Sequence, residues 1–150
     1  MISQYSLKLT KDRKFKYSTK HVDNHIAAAA VFRDYLGSRD CEHLAMILLD
    51  GRNMMTGLCL VGIGFLHSLP VSIRNILKFA VIGNASGFVI GHNHPSGNVS
   101  PSVEDLVLTN KLMEACDVVG IPMLDHIIVS SGVNDATFSF AENNVIRKII

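Results

Sequence analysis

Apolar residues follow two rhythms along this chain. Some form short unbroken runs closed by turn residues, and others recur at every third or fourth position. The first pattern reads as a strand buried on both faces, the second as a helix with one apolar side. "SLKLT" (6–10) alternates and predicts an edge strand. "VDNHIAAAAVFRDYLG" (22–37) predicts a helix: its alanines favour one, Ser18 or Thr19 is placed to cap it, and Gly37 suits its end. "HLAMILLD" (43–50) ends in the turn signal "DGRN", and "MMTGLCLVGIG" (54–64) follows, so the two predict a hairpin.

"PVSIRNILKFAVIG" (70–83) carries Pro70 at an expected first turn, apolar residues at helical spacing and Gly83 at its end. "GFVI" (87–90) is the next buried strand. "SVEDLVLTNKLMEACDVVG" (102–120) predicts a long amphipathic helix whose apolar side is Val107, Leu108, Leu112, Ala115, Cys116 and Val119. "MLDHIIVS" (123–130) and "ATFSF" (136–140) then give a buried strand and a short final one. Strands and helices therefore alternate, with one hairpin near each end. The expectation is an α/β fold with a mixed central sheet flanked by helices, residues 1–150 forming a single domain without repeats or linkers.

Composition narrows the class. Hydrophobic residues make up 48% of the chain and charged residues 18%, which excludes disorder. A formal net charge of +1 argues against a surface built wholly for polyanions, although "KLTKDRKFK" (8–16) holds five basic residues against one acid. Three scattered cysteines, Cys41, Cys59 and Cys116, form no C-x-x-C pair and argue against a disulfide scaffold or zinc ribbon. The amino-terminal stretch lacks the apolar core of a secretion signal, and no apolar run is long enough to span a bilayer. A cytoplasmic protein without membrane contact is expected.

The chemistry concentrates in "GHNHPSGNVSPSVEDL" (91–106), between a predicted strand and a predicted helix. Open α/β sheets place their ligand sites at such strand ends. If the backbone stays extended past Ile90, His92 and His94 project to the same side. Asp105 falls in the first turn of the next helix. Two imidazoles and one carboxylate match the three-ligand set of catalytic zinc, with a fourth position left for water. The same residues also admit a purely structural reading, since S-x-x-D at Ser102 and Asp105 is close to a capping box and Ser100-Pro101 fits an N-cap. The motifs of helical zinc proteases, zinc deaminases, α/β-hydrolase elbows and P-loops are missing. A hydrolase needs a base as well, and among Glu42, Asp50, Glu104 and Asp125 the best placed is Glu42, at the mouth of a buried run. Asp125 and His126 alternate on a strand, so at most one of them points to the site. Neither is assigned to it.

The run His92, His94, Pro95, Ser96, Gly97, Pro101, Ser102 and Asp105 reads H-x-H-P-S-G-x-x-x-P-S-x-x-D and resembles the JAMM metalloprotease motif of the JAB/MPN superfamily. With "NASGFVIGHNHPSG" and "LDHIIVS" around it, the resemblance is to the bacterial RadC branch and covers about residues 40 to 132. It implies a three-layer, cytidine-deaminase-like α/β fold and zinc on His92, His94 and Asp105. It further implies that Ser102 helps hold an oxyanion and that Glu42, opening an early apolar run, is the general base. The chain departs from the pattern in two places. RadC proteins usually carry an amino-terminal helix–hairpin–helix region, whereas the leading residues here predict a strand and a helix. The family often has an Arg-Glu pair opening the helix before the motif, where this chain has Arg74-Asn75.

These observations lead to a zinc-dependent metallohydrolase acting on a peptide or isopeptide substrate. The alternative is a DNA-repair-associated or mobile-element accessory protein that binds nucleic acid or a partner and keeps the metal site as a structural remnant. Its support is the basic stretch from Lys8 to Lys16.

Overall fold

A computed structural model describes residues 2–12, 14, 16–17, 19–64, 72–132 and 135–146. Its elements run α1 (His25–Leu36), β1 (His43–Leu49), β2 (Met55–Ile63), α2 (Ile73–Ile82), β3 (Gly87–His94), α3 (Val103–Val119), β4 (Met123–Ser130) and β5 (Thr137–Ser139). The strands form one sheet in the order β2-β1-β3-β4-β5. β3 and β4 are parallel, joined by the α3 crossover, while the other neighbours are antiparallel. This is the mixed sheet that the alternation predicts.

Every residue of β1 and β3 is buried, as expected for unbroken apolar runs at the centre of a sheet. Alternation sends their side chains into two cores. Ala45, Ile47, Leu49, Val89, Ile127 and Val129 pack with α1 through Ala28, Ala29, Val31, Phe32 and Leu36. Leu44, Met46, Leu48, Phe88 and Ile90 pack on the other side with Ile76 and Ala80 of α2 and Leu112 and Cys116 of α3. The fold is therefore three layers, with one helix on one face of the sheet and two on the other. Among the described residues no helix is long and apolar enough to cross a membrane.

Four local expectations change. Residues 6–10 form no strand and lie exposed, with Leu7 at 81% and Leu9 at 41% exposure. Two leucines bury too little apolar surface to offset the entropy of ordering the segment. The cap of α1 is Asn24, whose side chain accepts from Ala27 N at 2.9 Å. Thr19 instead bonds the backbone of His21, and Ser18 lies outside the described residues, as does Pro70. The cap of α3 is Ser102 rather than Ser100, because Asp105 at the third helical position completes a capping box with it. That choice sets the phase of the helix, which buries Asp105, Thr109, Leu112 and Cys116 and leaves Val107 and Val119 exposed. Finally, β3 continues four residues beyond "GFVI" and carries both histidines.

Gly91 occupies the α1 side of β3 between Ile90 and His92. A Cβ built there would lie 2.5 Å from the ring of Phe32, which is fully buried. Helix α1 thus rests directly on the backbone of the strand that bears the histidines. Gly91→Ala is expected to destabilise the fold by about 1–3 kcal/mol, the usual cost of overpacking a filled core. Denaturant unfolding checks it, and an unchanged midpoint would contradict the packing described.

Candidate metal centre

His92 and His94 follow Phe88 and Ile90 on one face of β3, the face covered by α3. Strand geometry thereby sets two imidazoles side by side, with Leu44 of β1 and Ile128 of β4 flanking His92. After His94 the chain turns through Gly97, whose φ of 81° suits a residue without a Cβ. The turn brings the Asn98 carbonyl to 2.6 Å from His94 Nδ1. A carbonyl can only accept, so Nδ1 carries the proton there and Nε2 is left for the site.

Asp105 reaches the same point from the first turn of α3. Its Oδ2 accepts from the backbone N–H and the hydroxyl of Ser102, each at 2.8 Å, and its own N–H donates back to Ser102 Oγ at 3.1 Å. Oδ1 lies 3.2 Å from His92 Nε2, and Oδ2 lies 3.7 Å from His94 Nε2. The two Nε2 atoms are 3.0 Å apart. One ligand atom from each of the three residues falls within 4.8 Å of the others, and all three residues are buried.

Burial pushes the Asp105 carboxyl upward, but hydrogen bonds from His92 and His94 outweigh it and hold the group well below the usual carboxylate range. The hydrogen bond to Asp105 raises His94 against the opposing effect of burial, and the Asn98 carbonyl and the charges of Asp105 and Glu42 add to the rise. Two ring nitrogens this close beside a carboxylate require a positive centre between them, either a proton or a metal ion. A nitrogen, nitrogen and oxygen donor set held in this way suits a divalent transition metal.

Glu42 stands one residue ahead of β1 and is half-buried. Its backbone is tied on both sides. Its own carbonyl accepts from Gly64 N at 2.8 Å, and Asn93, fully buried between the two histidines, accepts from His43 N at 2.8 Å and donates to the Cys41 carbonyl at 3.1 Å. The central residue of H-N-H therefore grips the chain around Glu42.

A family model described as the RadC-like JAB domain matches residues 22–145. The chain belongs to this family. A UPF0758 protein of Trichormus variabilis is 37% identical over 111 residues, covering 74% of this chain and 46% of the relative. A UPF0758 protein of Clostridium kluyveri is 39% identical over 107 residues, 71% of this chain and 46% of that protein. One from Desulforamulus reducens is 42% identical over 90 residues, 60% of this chain and 40% of its own length. The chain thus spans less than half the length of these relatives.

Within this RadC-like JAB domain, His92, His94 and Asp105 come together as the motif spacing suggests, and Ser102 joins them through Asp105. The charge of Glu42 acts on one of them, His94. Asp125 points to the opposite face, where it accepts from Ser139 Oγ at 2.6 Å and from the N–H groups of His126 and Ala141, so it fastens β5 to β4. Burial raises its carboxyl despite these bonds. His126 is the member of the pair that faces the centre, 2.9 Å from His92 Nδ1, and burial pushes its ring well below the usual histidine range. It and Thr109 are the residues that sequence reasoning leaves out. The alternation at "LDHII" is the one signal that bears on His126.

Addition of zinc to chelator-treated protein is expected to raise the melting temperature. At a free zinc concentration a hundred times the dissociation constant, the gain is about 2.7 kcal/mol, or roughly 5–10 °C for a chain of this size. A His92→Ala/His94→Ala double variant should show no zinc-dependent shift. An equal shift in that variant would move the binding site elsewhere.

Proposed function

We propose that this RadC-like JAB domain is a zinc-dependent hydrolase of JAMM type that cleaves peptide or isopeptide bonds. The convergence of His92 Nε2, His94 Nε2 and the Asp105 carboxylate at the end of a central strand carries this reading. When bound, zinc would supply Lewis-acid polarisation of the scissile carbonyl and of the attacking water. Glu42 takes the proton from that water and returns it to the leaving amine. Its charge already acts on His94, which supports a place beside the reacting atoms. Ser102 donates to the developing oxyanion, for which its hydroxyl has to turn away from Asp105 Oδ2. One such donor is typically worth about 3 kcal/mol in the transition state. Free Cys41, Cys59 and Cys116 support action in a reducing compartment such as the cytoplasm.

The test uses zinc-loaded protein and a library of fluorogenic peptides and lysine-linked isopeptides. Glu42→Gln should keep zinc and lose about 10²–10⁴-fold in turnover, the usual weight of a general base. Undiminished turnover in that variant would remove Glu42 from the mechanism. If the loaded protein hydrolyses nothing and instead binds DNA in a salt-dependent way that charge reversal at Lys11, Arg13 and Lys14 abolishes, the accessory binding role replaces the hydrolase.

A further inference from the structure

We propose that Thr109 and His126 are positioning residues that fix the proton of His92 on Nδ1 and so make Nε2 its ligand nitrogen, an inference that rests on the metal reading above. Three contacts lead away from the centre in a line. His92 Nδ1 is 2.9 Å from His126 Nε2, His126 Nδ1 is 2.7 Å from Thr109 Oγ1, and Thr109 Oγ1 is 2.7 Å from the backbone carbonyl of Asp105. The proton positions follow from that last contact. A carbonyl oxygen has no hydrogen to give, so the threonine hydroxyl donates its only one to Asp105. Only lone pairs then face His126 Nδ1, which must carry a proton.

The His126 ring is fully buried and stacks on Phe140 with centroids 4.4 Å apart and 14° between planes. Its nitrogens meet a hydroxyl and another imidazole, neither of which compensates a buried positive charge. The ring is therefore neutral, with its lone pair on Nε2. That lone pair accepts from His92 Nδ1–H, so Nε2 is the nitrogen that His92 offers to the centre beside Asp105 Oδ1 and His94 Nε2, to a metal ion or, without one, to the shared proton. His94 reaches the same state by the shorter route through Asn98.

The fold supplies each step. Thr109 follows Asp105 by one helical turn on the buried line of α3. His126 pairs in register with Ile90 on the strand beside the histidines. Asp105 thus acts twice, offering its side chain to the metal while its backbone carbonyl orients a neighbouring ligand through three hydrogen bonds. Partners that hold a ligand histidine in this way commonly change metal affinity by about 10–100-fold when removed.

Two readouts test the relay in the full chain. The first is the ring nitrogen-15 spectrum of His92 in metal-free protein at about pH 8, above the ordinary histidine range. The second is zinc affinity, measured by competition with a chromogenic chelator. Wild type and Thr109→Ser should both show His92 protonated at Nδ1, with affinities within a few-fold of each other. Thr109→Val keeps the shape but removes the hydroxyl. The His126 proton is then expected to move to Nε2 and the His92 proton to Nε2, with zinc affinity falling about 10–100-fold. Wild-type His92 without a proton on Nδ1 would overturn the relay, as would a Thr109→Val variant that keeps both tautomer and affinity. If Thr109→Val does not fold, the wild-type and Thr109→Ser spectra still decide. A wild type that shows Nδ1–H yet takes up no zinc would sink the metal reading and leave the relay standing.

Discussion

The structure depends most on the burial of Asp105. Its carboxylate is 1% exposed, and a charge so far from water is costly unless every lone pair is met. Two donors come from Ser102 at the start of α3, and the other partners are the two imidazoles of β3. Among the described residues no buried side-chain nitrogen or oxygen lacks a partner. The same aspartate starts the helix, sets which side of it is buried and completes the donor set. Helix capping and a metal-ligand arrangement, which compete as explanations when only the sequence is read, are both met by one carboxyl group.

Around this point the residues of "GHNH" divide between the two faces of one strand. Gly91 lets Phe32 of α1 lie against the backbone from one side. His92 and His94 turn to the other, toward α3. Asn93, between them, holds the start of β1 and with it the backbone around Glu42. β3 is buried along its whole length and lies between β1 and β4, so the histidines are presented by a strand interior to the sheet. Rigid support of that kind keeps ligand atoms in position without a loop having to order itself on binding.

Much of this was legible in the sequence, for definite physical reasons. Unbroken runs such as "HLAMILL" and "GFVI", bounded by turn residues, read as strands buried on both faces, and β1 and β3 are buried at every residue. The H-x-H spacing is informative because strand alternation puts both rings on one side. What escaped depended on tertiary register. The pattern at "LDHII" shows that only one of Asp125 and His126 can face the centre, but the choice belongs to the pairing of β4 with β3. Thr109 reads as an ordinary polar helix residue until Ser102 fixes the helix phase. The segment 6–10 alternates as a strand should, yet its two leucines bury too little to order it. Glu42 is the best placed acid on the residues alone, but an acid at the start of a strand is common without any catalytic role, and the expectation of a general base there rests mainly on the family resemblance.

The most direct measurement is anomalous diffraction at the zinc edge from crystals of the protein grown with zinc. One strong peak is expected, bonded to His92 Nε2, His94 Nε2 and a carboxylate oxygen of Asp105, at distances of about 2.0–2.2 Å. No peak there, or a peak held by other side chains with these three bonded only to one another, would contradict the metal reading.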